Sequence, residues 1–193
     1  MDFKFTPLAI PDVIEVLHGA AGDERGFFAE TFRENAFREA GIAARFVQEN
    51  HSRSGARTLR GLHYQLEPHA QGKLVRCARG RIWDVAVDLR RDSPFYGKWV
   101  AAELSDANRK MLWIPPGFAH GFVALTDCDM LYRQTDYWAS ELDRGIRFDD
   151  PELAIPWPVR EPLLSARDQR HPFLKDAESN FCYTRQAPAG PRL

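Results

Sequence analysis

Arg60-Gly61-Leu62-His63-Tyr64-Gln65-Leu66-Glu67-Pro68-His69-Ala70-Gln71-Gly72-Lys73-Leu74-Val75-Arg76-Cys77-Ala78-Arg79-Gly80 is the stretch on which the reading of this chain turns. Leu62, Tyr64 and Leu66 alternate with Gly61, His63 and Gln65, the two-residue period of a strand with distinct faces. Lys73 to Cys77 reads as a second strand, with Lys73, Val75 and Cys77 on one face. Pro68 and Gly72 mark the loop between them, so the pair is expected to form a hairpin. If both strands belong to one barrel wall, His63, Gln65 and Lys73 point into one cavity. Each carries polar groups that cost free energy when buried unpaired. Their convergence therefore marks a site.

Working outward, the same alternation recurs. Residues 1–18 hold short apolar pieces broken by Pro7 and Pro11, expected as edge strands. Asp23-Glu24-Arg25-Gly26 is turn-like and Phe27 to Phe32 is a strand candidate. Glu34 to Ala40 carries helix formers and stops at Gly41, a short helix with a glycine terminus. Phe46 to Ser52 begins as a strand and turns polar, and Ser52 to Ala56 is expected to be a solvated loop. Arg81 to Leu89 is a clear strand, followed by a turn at Asp92-Ser93-Pro94 and a strand from Trp99 to Leu104. Met111 to Ile114, Val123 to Leu125 and Met130 to Thr135 complete the set. Short strands at intervals of roughly ten residues, separated by turn residues, predict an all-β antiparallel sandwich or barrel with few helices. Beyond Asp149 the texture changes to proline-rich loops, with a short turn-like segment at Leu163 to Asp168. The expected organisation is a single domain over residues 1–180 and a tail over 181–193, frayed from Ala187 onward.

Composition excludes several classes of function. The 193 residues carry a net charge of -1, with Lys and Arg scattered along the chain, so a nucleic-acid footprint is not expected. No apolar run approaches the roughly 20 residues of a membrane helix. The N-terminal residues lack the basic and apolar regions of a signal peptide. Cys77, Cys128 and Cys182 are widely spaced and odd in number. A reduced, cytoplasmic setting follows as the expectation.

The quoted stretch also resembles known proteins. Small β-barrels of the cupin type place His-x-His and a later Glu on neighbouring strands to hold a metal. Here Gln65 stands for the second His and Lys73 falls near the expected Glu. A lysine ammonium beside a divalent cation is unfavourable, so the expectation is a cupin cavity without its metal and with no cofactor. Pro115-Pro116-Gly117-Phe118-Ala119-His120 is similar to the second cupin signature, a Pro-x-Gly turn followed by a His. Arg60-Gly61-Leu62-His63-Tyr64-Gln65 with Gln71-Gly72-Lys73-Leu74-Val75 closely resembles the dTDP-4-dehydrorhamnose 3,5-epimerase family, and the resemblance spans roughly residues 2 to 180. It implies a cupin-type antiparallel β-barrel, or jelly roll, with a few short helices. The implied activity is inversion of C3 and C5 of dTDP-4-dehydro-6-deoxy-D-glucose to give dTDP-4-dehydro-L-rhamnose through an enolate. Rival readings are a single-site epimerase on a related nucleotide-linked keto sugar and a non-catalytic sugar-binding cupin. The latter would be expected to have lost the base or its carboxylate.

Roles follow from the same resemblance. His63 matches the family's general base, and an imidazole with an ordinary pKa near 6.5 suits proton abstraction at neutral pH. Asp168, in Ser165-Ala166-Arg167-Asp168, matches the carboxylate that orients it. Arg167 replaces a lysine in that segment. Tyr132 matches a catalytic tyrosine on the far side of the sugar, and Lys73 the group that stabilises the enolate oxygen. His120 is either a hydrogen-bond donor to substrate or a structural histidine behind its turn. Arg25, Glu30, Gln48, Asn50 and Arg60 match positions that contact the nucleotide and its phosphates. Trp138 stands where the family stacks an aromatic on thymine, and Asp143 where it usually has glutamate. The implied partner is a dTDP-linked 4-keto-6-deoxyhexose. The implied assembly is a homodimer in which Arg25 and Glu30 act across the interface.

Overall fold

Strand Arg81–Asp88 shows how the molecule is layered, because both of its faces are apolar. In the computed structural model, which describes residues 2–184, Ile82 and Ala86 enter one buried cluster while Val85 and Val87 enter another. A strand covered on both sides loses the simple in/out alternation and must lie in the middle of three layers.

The strands are β1 Phe3–Pro7, β2 Ile14–His18, β3 Ala21–Asp23, β4 Gly26–Phe28, β5 Gln48–Ser54, β6 Leu59–Gln65 and β7 Lys73–Arg79. They continue with β8 Arg81–Asp88, β9 Trp99–Ser105, β10 Lys110–Ile114, β11 Phe118–Ala124, β12 Cys128–Gln134 and β13 Asp143–Gly145. One α-helix, α1 Glu34–Glu39, precedes Gly41, whose φ of 89° provides the left-handed stop. A six-stranded sheet runs β1-β2-β10-β7-β12-β5 and faces a five-stranded sheet β13-β6-β11-β8-β9; β3 and β4 form a separate hairpin. This is a cupin-type jelly roll.

Between the sheets, Val75, Leu112, Phe122 and Met130 belong to one closed apolar cluster. Outside the six-stranded sheet, Phe37 of α1 packs with Val16, Leu74 and Trp113. Outside the five-stranded sheet, Leu153, Ile155, Leu174 and Phe181 cover Tyr64, Val85 and Val87. Full burial of each such side chain is worth about 1.5–3 kcal/mol. The proline-rich C-terminal third thus serves as a lid over one wall. Its packing runs past residue 180, since Phe181 is buried and Cys182 bridges Arg91. The expected fraying from Ala187 onward lies outside the described residues.

Three local expectations are corrected. β6 and β7 do not form a hairpin: they lie in opposite sheets, so the loop through Pro68 crosses the barrel. The predicted strand Phe27 to Phe32 ends at Phe28, and Phe32 instead joins an aromatic group with Phe37 and Phe46 at ring separations of 4.9 and 5.3 Å. The expected loop at Ser52 is strand, because β5 pairs with β12 along its whole length, from Gln48↔Gln134 to Ser54↔Cys128. Its inward residues are polar, and an alternation of polar with charged side chains is hidden from a search for apolar periodicity. β6 and β11 approach closely where Gly61 meets Gly121. A Cβ on Gly61 would lie 2.5 Å from the Gly121 Cα, and the strand register shifts just beyond, between His120 and Phe122.

Candidate active site

The sheets enclose a cavity of ≈ 390 Å³. Each wall supplies its own chemistry. From the five-stranded wall come His63 on β6 and His120 on β11, which are direct cross-strand partners. Neighbours at such a position project to the same face. From the six-stranded wall come Lys73 on β7 and Tyr132 on β12, with Lys73 opposite Gln134 and Tyr132 opposite Asn50 in the registers. All four line the cavity. The predicted convergence of histidine and lysine therefore holds, although it comes from facing sheets rather than from one hairpin.

His63 is tied to a carboxylate behind it. Its Nε2 lies 2.6 Å from Asp168 Oδ1. With Nε2 carrying the proton toward Asp168, Nδ1 is the nitrogen left with a lone pair. Asp168 opens a single 3-10 turn and is buried at 4% exposure, and its backbone N–H donates to Ser165 Oγ at 3.0 Å. Burial works against its charge, but the hydrogen bond and electrostatic attraction of His63, with the Ser165 contact, hold it below the usual carboxylate range.

His120 has a parallel arrangement that the sequence reading missed. Its Nε2 sits 2.9 and 3.1 Å from the two oxygens of Asp84, which is fully buried. Burial raises the pKa of Asp84, and His120 and Lys73 partly offset this. Lys73 is itself 8% exposed, and its ammonium reaches the His63 carbonyl at 3.4 Å. Burial lowers its pKa to about 8, opposed by the charges of Asp143 and Asp84.

The two tyrosines at the cavity differ in a useful way. Tyr64 donates its hydroxyl to the Glu178 carbonyl at 2.6 Å, and burial raises its pKa to about 12. The Tyr132 hydroxyl makes no hydrogen bond to another described residue, which leaves its proton available to a ligand.

The rim and floor are set by amides. Gln134 Oε1 accepts from Gln48 at 2.8 Å and from Asn50 at 2.7 Å, while Gln134 Nε2 donates to Gln71 at 2.8 Å. Gln65 spends its amide on the loop after β12, donating to the Tyr137 carbonyl at 2.9 Å and accepting from the Ala139 N–H at 2.8 Å. Gln65 lines the cavity as well, but its amide is committed to holding that loop. The loop carries Trp138, which is 59% exposed at the cavity rim. Its indole N–H donates to Asp143 at 3.0 Å, and Arg167 closes on the same carboxylate oxygen at 2.7 Å.

Arg60 also lines the cavity, anchored by Ser54 Oγ at 3.0 Å. Arg25 and Glu30 do not line it. Arg25 is held by Asp23 at the exposed tip of the β3–β4 hairpin, and Glu30 lies 3.7 Å from Arg33. Sequence reasoning also overlooked Gln71, Gln134 and His171, whose ring meets that of His63 edge-on at 5.5 Å.

A jelly-roll cavity with an Asp-oriented imidazole on one wall, and a lysine and an unengaged tyrosine on the other, defines a barrel isomerase that moves protons at an acidified carbon. Residues 7–176 match the model of the dTDP-4-dehydrorhamnose 3,5-epimerase family, and the chain belongs to that family. It is 53% identical over 178 residues to dTDP-4-dehydrorhamnose 3,5-epimerase of Pseudomonas aeruginosa, covering 91% of this chain and 98% of that one. Identity to the enzyme of the same name from Shigella flexneri is 50% over 171 residues, 88% of this chain and 94% of that one. The crystal structure of the Legionella pneumophila 3,5-epimerase in complex with dTDP-4-keto-L-rhamnose superimposes with a TM-score of 0.87 at 44% identity, over 90% of this chain and 94% of that one.

Proposed function

We propose that the cavity inverts C3 and C5 of dTDP-4-dehydro-6-deoxy-D-glucose, giving dTDP-4-dehydro-L-rhamnose, with His63 as base and Tyr132 as acid. The C4 ketone acidifies the hydrogens on both neighbouring carbons. His63 Nδ1 takes the proton, and Asp168 stabilises the imidazolium through Nε2. The electron pair left behind moves into an enolate whose oxygen is met by the Lys73 ammonium. Tyr132 returns a proton from the opposite wall, and solvent restores both groups. The reaction is redox-neutral, since one C–H bond breaks and another forms at the same carbon.

The observation that carries this reading is the placement of His63 and Tyr132 on facing sheets. Base and acid on one wall would only exchange a hydrogen; on two walls they invert the carbon. In heavy water the native protein is expected to place deuterium at both C3 and C5 and yield the doubly inverted sugar, read by NMR of the product. Tyr132→Phe should still exchange hydrogen yet lose most of the inversion. Deuterium at one carbon only would make this a single-site epimerase. Full inversion in Tyr132→Phe would move the acid elsewhere.

Trp138, tethered by Asp143 and Gln48, is read as the platform that stacks on the nucleotide base, with Asn50 and Arg60 lining the same cavity. Base–aromatic stacking is worth about 1–3 kcal/mol. Trp138→Ala is expected to raise KM by about five- to a hundredfold with a much smaller change in kcat. Steady-state kinetics with unchanged KM would return the indole to a purely structural role.

The β3–β4 hairpin supports a homodimer. Phe27 and Phe28 are 75% and 69% exposed on it, and a second copy would cover them while receiving Arg25 and Glu30 at its nucleotide site. No helix among the described residues is long and apolar enough to cross a membrane. A cytoplasmic enzyme acting on a nucleotide sugar, without nucleic acid or membrane as partner, is consistent with that and with the even charge.

A further inference from the structure

Behind the base lies a cluster that the epimerase mechanism does not use in full. We infer that His63, Asp168 and His171 form a binding site for a divalent transition metal of the zinc class, and that an ion there inhibits the enzyme. One donor atom from each residue lies within 4.8 Å of the others. Two imidazoles and a carboxylate are a donor set that such ions favour.

His171 is brought there by backbone geometry. Gly145 on β13 is the cross-strand partner of His63, and the His171 ring lies directly over Gly145. A Cβ at that position would stand 2.2 Å from Cε1 and 2.3 Å from Nδ1 of the ring, so only glycine leaves room for it. His171 also ends the turn that begins at Asp168, which places it on the same support as the carboxylate.

A second observation points to a ligand. His171 Nδ1 is sealed from solvent and has no hydrogen-bond partner. Buried polar nitrogens are nearly always paired, and an orphan in a donor cluster calls for an explanation. A metal would give that lone pair its partner.

Metal bonds of about 2.0–2.1 Å set neighbouring donors about 3.3 Å apart around a tetrahedral ion, so His63 Nε2 and Asp168 Oδ1, now 2.6 Å apart, must separate while His171 closes in. The turn carrying Asp168 and His171 lies outside both sheets, so the adjustment required breaks no sheet pairing. The site differs from the metal position of cupin barrels, which the chain fills with Gln65 and Lys73. An ion at His63 Nε2 replaces Asp168 as its partner, and a metal-bound imidazole no longer gains a carboxylate's stabilisation on protonation. Inhibition, though not binding, rests on His63 being the base as proposed above.

The test uses the full chain stripped with a chelator and titrated with Co²⁺, then with Zn²⁺ in competition. One Co²⁺ per chain is expected, with the intense visible absorption of a four-coordinate site, displaced by Zn²⁺. His171→Phe keeps the ring volume over Gly145 without nitrogen donors, and should weaken binding by at least about tenfold. His171→Gln serves if the phenylalanine variant does not fold. Zn²⁺ should inhibit turnover of the native chain, with chelator restoring it, and should inhibit the His171 variant at least about tenfold less effectively. Co²⁺ affinity equal in native and His171 variants, or the absence of a four-coordinate spectrum, overturns the site. Spectroscopic binding at this site without inhibition would leave the site standing and remove the base role from His63.

Discussion

His63→Asn should lower turnover by at least ~10²-fold, the lower end for loss of a general base, while KM changes little. Asparagine retains an N–H able to face Asp168, so the buried carboxylate keeps a donor and the β6 wall keeps its packing. What disappears is the lone pair on Nδ1. The remainder of the cavity is untouched, because the amide floor of Gln48, Asn50 and Gln134 is tied together independently of His63. A fall in kcat/KM that came entirely from KM would mean that His63 only binds. Near-normal turnover would place the base on another group, and His120 with its Asp84 partner would be next in line. Product analysis in heavy water separates these cases: without His63, hydrogen exchange at C3 and C5 should slow together with inversion.

Much of this arrangement was legible because the decisive residues break an apolar alternation. His63 and Lys73 sit at strand positions where a core residue belongs, and both prove to face the cavity. Asp84 gave the same signal and went unread. It lies between Ile82 and Ala86 on the inward face of β8, and a lone acid there needs a partner, which is His120. Gln65 lines the cavity as its strand position suggested, but only the fold brings residues 137 and 139 to its amide.

The loop-like reading of Ser52 failed because β5 turns polar side chains inward, and no hydrophobic count detects that. The supposed hairpin failed for a different reason. Two strands with a loop of moderate length between them look alike whether the chain turns back or crosses to the facing sheet. Here the crossing matters, because it puts Lys73 opposite His63 rather than beside it. His171 could be flagged only by its spacing of three from Asp168. That spacing acquires meaning once Gly145 is known to pair with His63.

Lys73→Met should make the protein more stable and much less active. Burial brings the ammonium's pKa down to about 8 from 10.5. Below pH 8 the lysine is protonated in both folded and unfolded chains, and the folded state bears the full cost of holding a charge in the wall. That cost is on the order of 3 kcal/mol for a shift of this size. Between pH 8 and 10.5 the folded chain has released the proton while the unfolded chain still binds it, so native stability rises with pH across this window. Methionine fills similar volume without charge. At pH 7 the variant is therefore expected to melt several degrees higher, after an offset of about 1 kcal/mol for the lost hydrogen bond to the His63 carbonyl. The advantage should shrink from pH 8 to 10.5, which melting curves across that range would read directly. Activity should move the other way. Removing one preorganised charge from an enolate-type oxygen costs about 3–4 kcal/mol, or a hundredfold or more in kcat. The native enzyme should likewise lose turnover as pH rises through 8 and the ammonium is neutralised. A Lys73→Met protein that melts lower at pH 7 would show that the ammonium holds the walls together, and would remove the argument that its buried charge is kept for chemistry.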